Sequence, residues 1–242
     1  MSIKSPPPEP DAPIRWTRRG FFGAGLGVGA GLGLPLLAGC SSDPYSDTSG
    51  ILKMAGRSFG AFTGTGEITR EQVAVVPYAS IGVRVGDSNQ VLLALVSKSR
   101  GFCLWTSAAR IAIETDGGGR ITRTAGLPHN MAQSSADGSD PLQAGIAGRG
   151  GGCEYYIDLP DRNVWRATVR YRLESPEQRE TVILGANLKV QYARERGACS
   201  DLLWEFQNEY WRDAATGFMW RSRQAIHPDL DVVEITILRR PL

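Results

Sequence analysis

Histidine and cysteine are scarce: the chain holds two histidines, His129 and His227, and four cysteines, Cys40, Cys103, Cys153 and Cys199, in 242 residues. None of them has zinc-ligand spacing. No Gly-x-Ser-x-Gly elbow, His-Glu-x-x-His helix or Asp-x-Asp-x-Asp loop occurs, so the commonest hydrolase, metalloprotease and calcium-loop signatures are missing. An excess of one charge is missing too. The formal net charge is +2, and beyond residue 39 basic and acidic residues balance at 23 each, which gives no electrostatic case for nucleic acid as a partner. What is plentiful is apolar surface, 42% of residues, together with 29 glycines. That composition buries a core and turns often, excluding generic disorder and coiled coil.

The first 39 residues have the form of an export signal. A basic stretch, Arg15 to Arg19, precedes a Gly/Ala/Leu run and then Leu37-Ala38-Gly39-Cys40. Arg18 and Arg19, followed by Gly20-Phe21-Phe22, resemble a twin-arginine export signal, and the glycine-diluted apolar run fits that route. Leu-Ala-Gly-Cys is a lipobox pattern, in which Cys40 is acylated and the leader removed before it. Several acyl chains, each contributing about 0.8 kcal/mol per buried CH₂, anchor a protein without a spanning helix. Ser41 follows the cysteine instead of the Asp that favours inner-membrane retention, so the expected place is the outer membrane, facing the periplasm. The covalent lipid is the only cofactor expected. Residues 40–50 read as a lipidated tether and 51–242 as a single β-rich domain.

Leu52, Ala55, Phe59 and Phe62 recur at helical spacing, and Thr69-Arg70-Glu71-Gln72 has the form of a capping box, so one or two short N-terminal helices are expected. After Pro77 the period becomes that of strands. Ile81, Val83 and Val85 alternate with Gly82, Arg84 and Gly86; 91–96 is a continuous apolar run; and 111–115 and 120–124 flank Asp116-Gly117-Gly118-Gly119, a hairpin turn. Residues 126–153 contain no periodic segment and read as a long connection. Strands resume at 155–157, 164–173, 181–192, 203–211, 217–226 and 232–238, with a turn expected at Arg196-Gly197. About ten strands without a βαβ rhythm predict a mainly β fold, an antiparallel barrel-like sheet or a sandwich. Three cysteines remain beyond Cys40, and the sequence does not choose a disulfide among them.

Chemistry is thinly signalled. His129 and His227 lie beside prolines in loops, the setting of turn residues more often than of a general base or metal ligand. Tyr155, Tyr156, Trp165, Tyr171, Tyr192, Trp204, Phe206, Tyr210, Trp211, Phe218 and Trp220 make the C-terminal half aromatic-rich. Alternating aromatics are more often core than platform; the functional alternative is a stacking surface for sugar rings or a partner strand.

Several local patterns together resemble a known family. They are Pro77-Tyr78-Ala79-Ser80 with Arg84-Val85-Gly86; Trp105-Thr106-Ser107-Ala108; the hairpin ending Gly119-Arg120; Thr124 to Asn130; and Asp140-Pro141-Leu142. Tyr210-Trp211-Arg212-Asp213, Trp220 to Gln224 and Ile237 to Pro241 follow in order. This succession is similar to the YjbF/GfcB family of group 4 capsule polysaccharide lipoproteins, with Gly148 to Gly152 a local insertion. The resemblance implies a mostly β, barrel-like lipoprotein acting in exopolysaccharide or capsule secretion or assembly, with an envelope export component or the polysaccharide itself as partner. It carries over no catalytic residue. Tyr78, Arg84, Trp105, Arg120, Asp140, Asp213, Trp220, Arg221 and Gln224 become the candidate binding positions, the alternative for the polar ones being pairing within strands and anchoring of loops.

Three readings follow. A non-enzymatic accessory lipoprotein needs no catalytic group. A glycan-modifying enzyme needs two carboxylates about 5 to 10 Å apart in a groove. A carrier of a lipid or lipid-linked sugar needs an apolar cavity of several hundred Å³.

Overall fold

The alternation that begins after Pro77 builds a single antiparallel sheet. The computed structural model describes residues 66–136, 142 and 153–241; the export signal, Arg18, Arg19, Cys40, the tether, the helix read at 52–62, Asp140 and the Gly148–Gly152 insertion lie outside the described residues. One short helix, α1 (Arg70–Ala74), precedes β1 (Ser80–Val85), β2 (Val91–Ser99), β3 (Phe102–Thr106), β4 (Ala112–Thr115), β5 (Ile121–Ala125) and β6 (Gln133–Ser135). The second half supplies β7 (Cys153–Leu159), β8 (Val164–Leu173), β9 (Glu177–Ile183), β10 (Ala186–Cys199), β11 (Trp204–Asp213), β12 (Met219–Gln224) and β13 (Val233–Arg239). Among the described residues no helix is long and apolar enough to cross a membrane.

The strand order is β5-β4-β3-β2-β1-β13-β12-β11-β10-β8-β7-β6, with β9 added on β10. The two ends of this path meet. Thr124 N–H donates to Met131 O at 2.9 Å, Met131 N–H returns to Thr124 Oγ1 at 3.0 Å, and Arg123 Nε reaches Ala132 O at 3.2 Å. The sheet therefore curls into a nearly closed barrel, which removes all but short edges and resolves the expected choice against the sandwich.

Inward positions follow the strand period of two: Ile81 and Val83, Leu93, Trp105, Ile113, Ile121, Tyr155 and Ile157, Val169 and Tyr171, Val233 and Ile235 are all buried in one cluster. Burial of each large aliphatic side chain contributes about 1.5–3 kcal/mol. Helix α1 packs on the outside. Thr69 caps it, accepting from Gln72 N–H while Gln72 Oε1 accepts from Thr69 N–H at 2.7 Å, the reciprocal box its sequence predicts. Val73, Ile68 and Val76 cover Leu92 from that side.

Three sequence expectations are corrected. Residues 181–192 are not one strand: Leu184 and Gly185, both at positive φ (+49° and +74°), turn β9 back onto β10. Leu184 tolerates that backbone because its side chain packs with the α1 cluster and its carbonyl accepts from Arg70 Nη2 at 2.7 Å. Arg196-Gly197 is no turn but the interior of β10. Gly197 stands opposite Phe206, and a Cβ there would lie 2.3 Å from the ring, so the aromatic ring replaces the missing side chain. Finally, the segment read as a bare connection contributes β6, which pairs with β7.

Candidate functional site

Arg120 leaves the β4–β5 turn and enters the barrel. Asp116 fixes that turn, its Oδ1 accepting from Gly118 N–H at 2.9 Å and Arg120 N–H at 2.8 Å, with Gly119 at φ +87°. The Arg120 guanidinium meets Glu195 of β10 in a bidentate pair, Nη2 to Oε2 at 2.6 Å and Nη1 to Oε1 at 3.1 Å. These side chains are 5% and 0% exposed. The guanidinium carbon lies 4.6 Å from the Tyr155 ring centre and 5.0 Å from that of Tyr171. Asn208 Nδ2 donates to Glu195 Oε1 at 2.8 Å. Gln224 Oε1 accepts from Ile121 N–H at 3.0 Å while its Nε2 donates to Gly119 O and Ser222 Oγ. Both oxygens of the buried carboxylate are thus engaged, and this network ties β5, β10, β11 and β12 across the interior.

At the end of the barrel formed by the β2–β3, β4–β5 and β11–β12 turns lies a pocket of about 270 Å³. Trp105, Met219, Ile235 and Ile237 form its buried wall, and Cys103 and Trp220 its half-buried wall. β1 begins at Ser80, opposite Ala94, so the end of β2 that carries Lys98 of the lining runs beyond it. Burial pushes the Cys103 thiol up, nearby Lys98 opposing the shift. Cys103 and Cys199 are both free thiols, so the structure does not pair them with each other.

Three candidate residues, Trp105, Trp220 and Arg221, line this pocket, and two more, Arg120 and Gln224, form the network beneath it. Asp213 organises the β11–β12 turn, accepting from Ala215 and Thr216 N–H and from Thr216 Oγ1; those bonds, the Thr216 backbone first, hold its carboxyl below the usual range. Its other oxygen faces Trp220 Nε1 at 3.4 Å. Arg221 pairs with Glu234 at 2.8 Å. Arg84 and Tyr78 stand elsewhere: Arg84 reaches Glu67 at 3.9 Å, and Tyr78 packs against the α1 cluster.

Glu195 and Asn208 are functional-looking residues the sequence reading missed. The signal was present, since Glu195 shares strand parity with Ala193, Gly197 and Cys199 and so occupies an inward position, but a turn assumed at 196–197 conceals that parity.

The two histidines meet at the opposite end, brought together by the β5–β6, β7–β8 and β12–β13 loops. Their rings stack at 4.8 Å, and Asp161 bridges them, 2.8 Å from His129 Nδ1 and 3.2 Å from His227 Nε2. His227 Nδ1 accepts from Asp229 N–H at 3.0 Å, which leaves Nε2–H to donate to Asp161. The ligand atoms of His129, His227 and Asp229 lie within 4.8 Å of one another, and in this arrangement both His227 nitrogens are engaged within the protein.

Burial, opposed by Asp161, lowers the His227 pKa. The unfolded residue takes up a proton first as pH falls below about 6.5, so its contribution to stability is complete above that value and declines below it, towards the lower folded pKa. Asp161 and Asp229, both shifted down, His129 and Arg162 being the first causes, lose their contribution only below about 4. We expect the urea midpoint to fall from about pH 7 to about pH 5, with a smaller fall in His227→Gln; identical slopes for the two proteins would refute this assignment.

Comparison with known proteins agrees with this fold. Over 175 residues the chain is 25% identical to the lipoprotein GfcB of Escherichia coli (strain K12), matching 71% of this chain and 81% of GfcB. The crystal structure of the hypothetical lipoprotein YmcC from Escherichia coli (K12) superimposes with a TM-score of 0.67 at 23% identity, covering 78% of this chain and 96% of YmcC. The model of the family described as group 4 capsule polysaccharide lipoprotein gfcB, YjbF matches residues 60–238. With a nearly closed antiparallel barrel and that match spanning most of its length, the chain belongs to the YjbF family of capsule polysaccharide lipoproteins.

Proposed function

We propose that this protein is a lipid-anchored, periplasm-facing accessory factor for exopolysaccharide or capsule secretion or assembly, docking on an envelope export component or on the polymer without catalysing a reaction on it. The family match over residues 60–238 carries this reading. In it, Arg18 and Arg19 direct export, Cys40 bears the lipid as the sole covalent group, and the anchor sits in the outer membrane. The non-enzymatic part draws support from the interior carboxylates: Glu195 is engaged by Arg120 and Asn208, and Asp116 by two backbone N–H groups. Glu195 is fully buried and so does not flank an open groove as the carboxyl groups of glycoside hydrolysis do.

The test is deletion of the gene with complementation by wild type and by Cys40→Ala, scoring cell-associated and released polysaccharide. We expect loss of exported polymer that wild type restores and a stably expressed Cys40→Ala does not. Unchanged polymer yield with altered chain length or substitution would move the reading to a glycan-modifying enzyme.

A further inference from the structure

The chain's only two histidines, His129 and His227, sit on separate loops and meet ring against ring. Asp161 occupies one side of that stack, its Oδ2 2.8 Å from His129 Nδ1 and its Oδ1 3.2 Å from His227 Nε2. These contacts, the His129 bond first, hold Asp161 below the usual carboxylate range, and an ionised carboxylate only accepts. Each ring therefore carries its proton on the nitrogen next to Asp161. The lone pairs are left on the other two nitrogens, His129 Nε2 and His227 Nδ1. His227 Nδ1 uses its own to accept from Asp229 N–H at 3.0 Å. Among the described residues His129 Nε2 has no hydrogen-bond partner.

Asp229 adds a third donor. Its Oδ2 accepts from Arg162 Nε at 2.6 Å and lies 3.9 Å from His227 Nδ1, while its Oδ1 has no protein partner among the described residues. Two imidazoles and a carboxylate are the donors of three-ligand zinc sites. Such sites orient each imidazole through a carboxylate on its far nitrogen and each carboxylate through a hydrogen bond, the parts played here by Asp161 and Arg162. Tetrahedral bonds of about 2.0–2.1 Å place donors about 3.3 Å apart, so the three atoms, now within 4.8 Å of one another, must draw together by up to about 1.5 Å. His227 is buried and fixed. The side chains of His129 and Asp229 are 38% and 42% exposed and stand on surface loops, which lets them make that movement. Asp229 N–H then turns from His227 Nδ1 to water, as an exposed residue can.

We propose that His129 Nε2, His227 Nδ1 and the Asp229 carboxylate bind one zinc ion, with Asp161 orienting both rings and a fourth position open to water. The ion pins the β5–β6 and β12–β13 loops to each other beside the seam at which Thr124 and Met131 close the barrel. The inference goes beyond the accessory role in polymer export and does not rest on it. Sequence spacing conceals such a site, because its donors come from separate loops.

The test uses the full chain carrying Cys40→Ser, made without a histidine tag and stripped of metal with EDTA. Calorimetry should find one saturable Zn²⁺ site per chain. Co²⁺ in its place should give the visible bands of an ion held by nitrogen and oxygen, with no thiolate-to-cobalt charge-transfer band in the near ultraviolet, so that no cysteine is a ligand. Long-range proton–nitrogen correlation spectra of the two histidines should show Zn²⁺ shifting His129 Nε2 and His227 Nδ1, with the protons kept on His129 Nδ1 and His227 Nε2. His129→Ala, a change at a half-exposed loop position, should weaken Zn²⁺ by about a hundredfold or more, and Asp161→Asn by about ten- to a hundredfold with the same two nitrogens coordinating. Zn²⁺ should raise the Tm of the parent chain and leave that of His129→Ala unchanged. Absence of a saturable site, a thiolate band, full affinity in His129→Ala, or coordination through His129 Nδ1 would each overturn the proposal. If His129→Ala fails to fold, the nitrogen shifts and the Co²⁺ spectrum of the parent chain decide it.

Discussion

Glu195→Leu is expected to lower the stability of the barrel by about 3–5 kcal/mol, the cost of breaking a buried ion pair from one side. The substitution removes the acceptor for two guanidinium N–H groups of Arg120 and one amide N–H of Asn208. Arg120 cannot follow water outward, because Tyr155 and Tyr171 lie against its guanidinium and the side chain is only 5% exposed. A domain of this size has about 5–15 kcal/mol to lose, so the variant forfeits at least about a fifth of its stability. The double replacement Arg120→Met with Glu195→Leu should recover most of the loss, since two apolar side chains leave no charge behind. Urea unfolding of the four proteins of this cycle measures both effects. A single-variant loss below about 1 kcal/mol would mean that the pair is solvated and that the polar network does not tie the strands.

Trp105→Ala is expected to cost about 3–5 kcal/mol, as truncation of a buried indole does. Trp105 is 2% exposed, packs in the main core and donates from Nε1 to Thr115 Oγ1. Trp105→Phe keeps most of the ring and gives up that bond, for an expected loss of about 1–2 kcal/mol. Trp165→Ala is the control: Trp165 is 60% exposed, and its loss should stay within about 0.5 kcal/mol. If Trp105→Ala and Trp165→Ala proved equally mild by chemical denaturation, the aromatic residues would belong to a surface platform and not to a core. The structure divides them otherwise: Tyr155, Tyr171 and Tyr210 are buried, Trp204 and Phe206 pack against the core with tilted rings 4.4 Å apart, and Trp165 faces solvent.

Much of the architecture was legible wherever a local rule acts alone. Period-two alternation located β1, β8 and β13, the Asp-Gly-Gly-Gly run located the β4–β5 hairpin, and the Thr69/Gln72 pairing located α1. The misreadings share one cause, a tertiary contact that overrides a local preference. Leu184 occupies a positive-φ turn position because α1 receives its side chain and Arg70 its carbonyl. Gly197 sits inside a fourteen-residue strand because the Phe206 ring covers it. The same holds for the site. Arg120 and Gln224 stood out as polar residues within motifs, but Glu195, 75 positions from its partner, becomes visible as one only when the closed sheet turns both side chains into the same interior.

From its residues alone this protein was legible as a β-rich member of its family, because period, turn chemistry and the ordered local motifs are written within short windows of chain. Tertiary structure alone decided the rest: that the sheet closes at β5 and β6, that an arginine and a glutamate pair at its centre, and that an apolar pocket opens at one end. Those features depend on which distant strands become neighbours. Register and closure are settled by the joint packing of the whole barrel, where no local window holds the information.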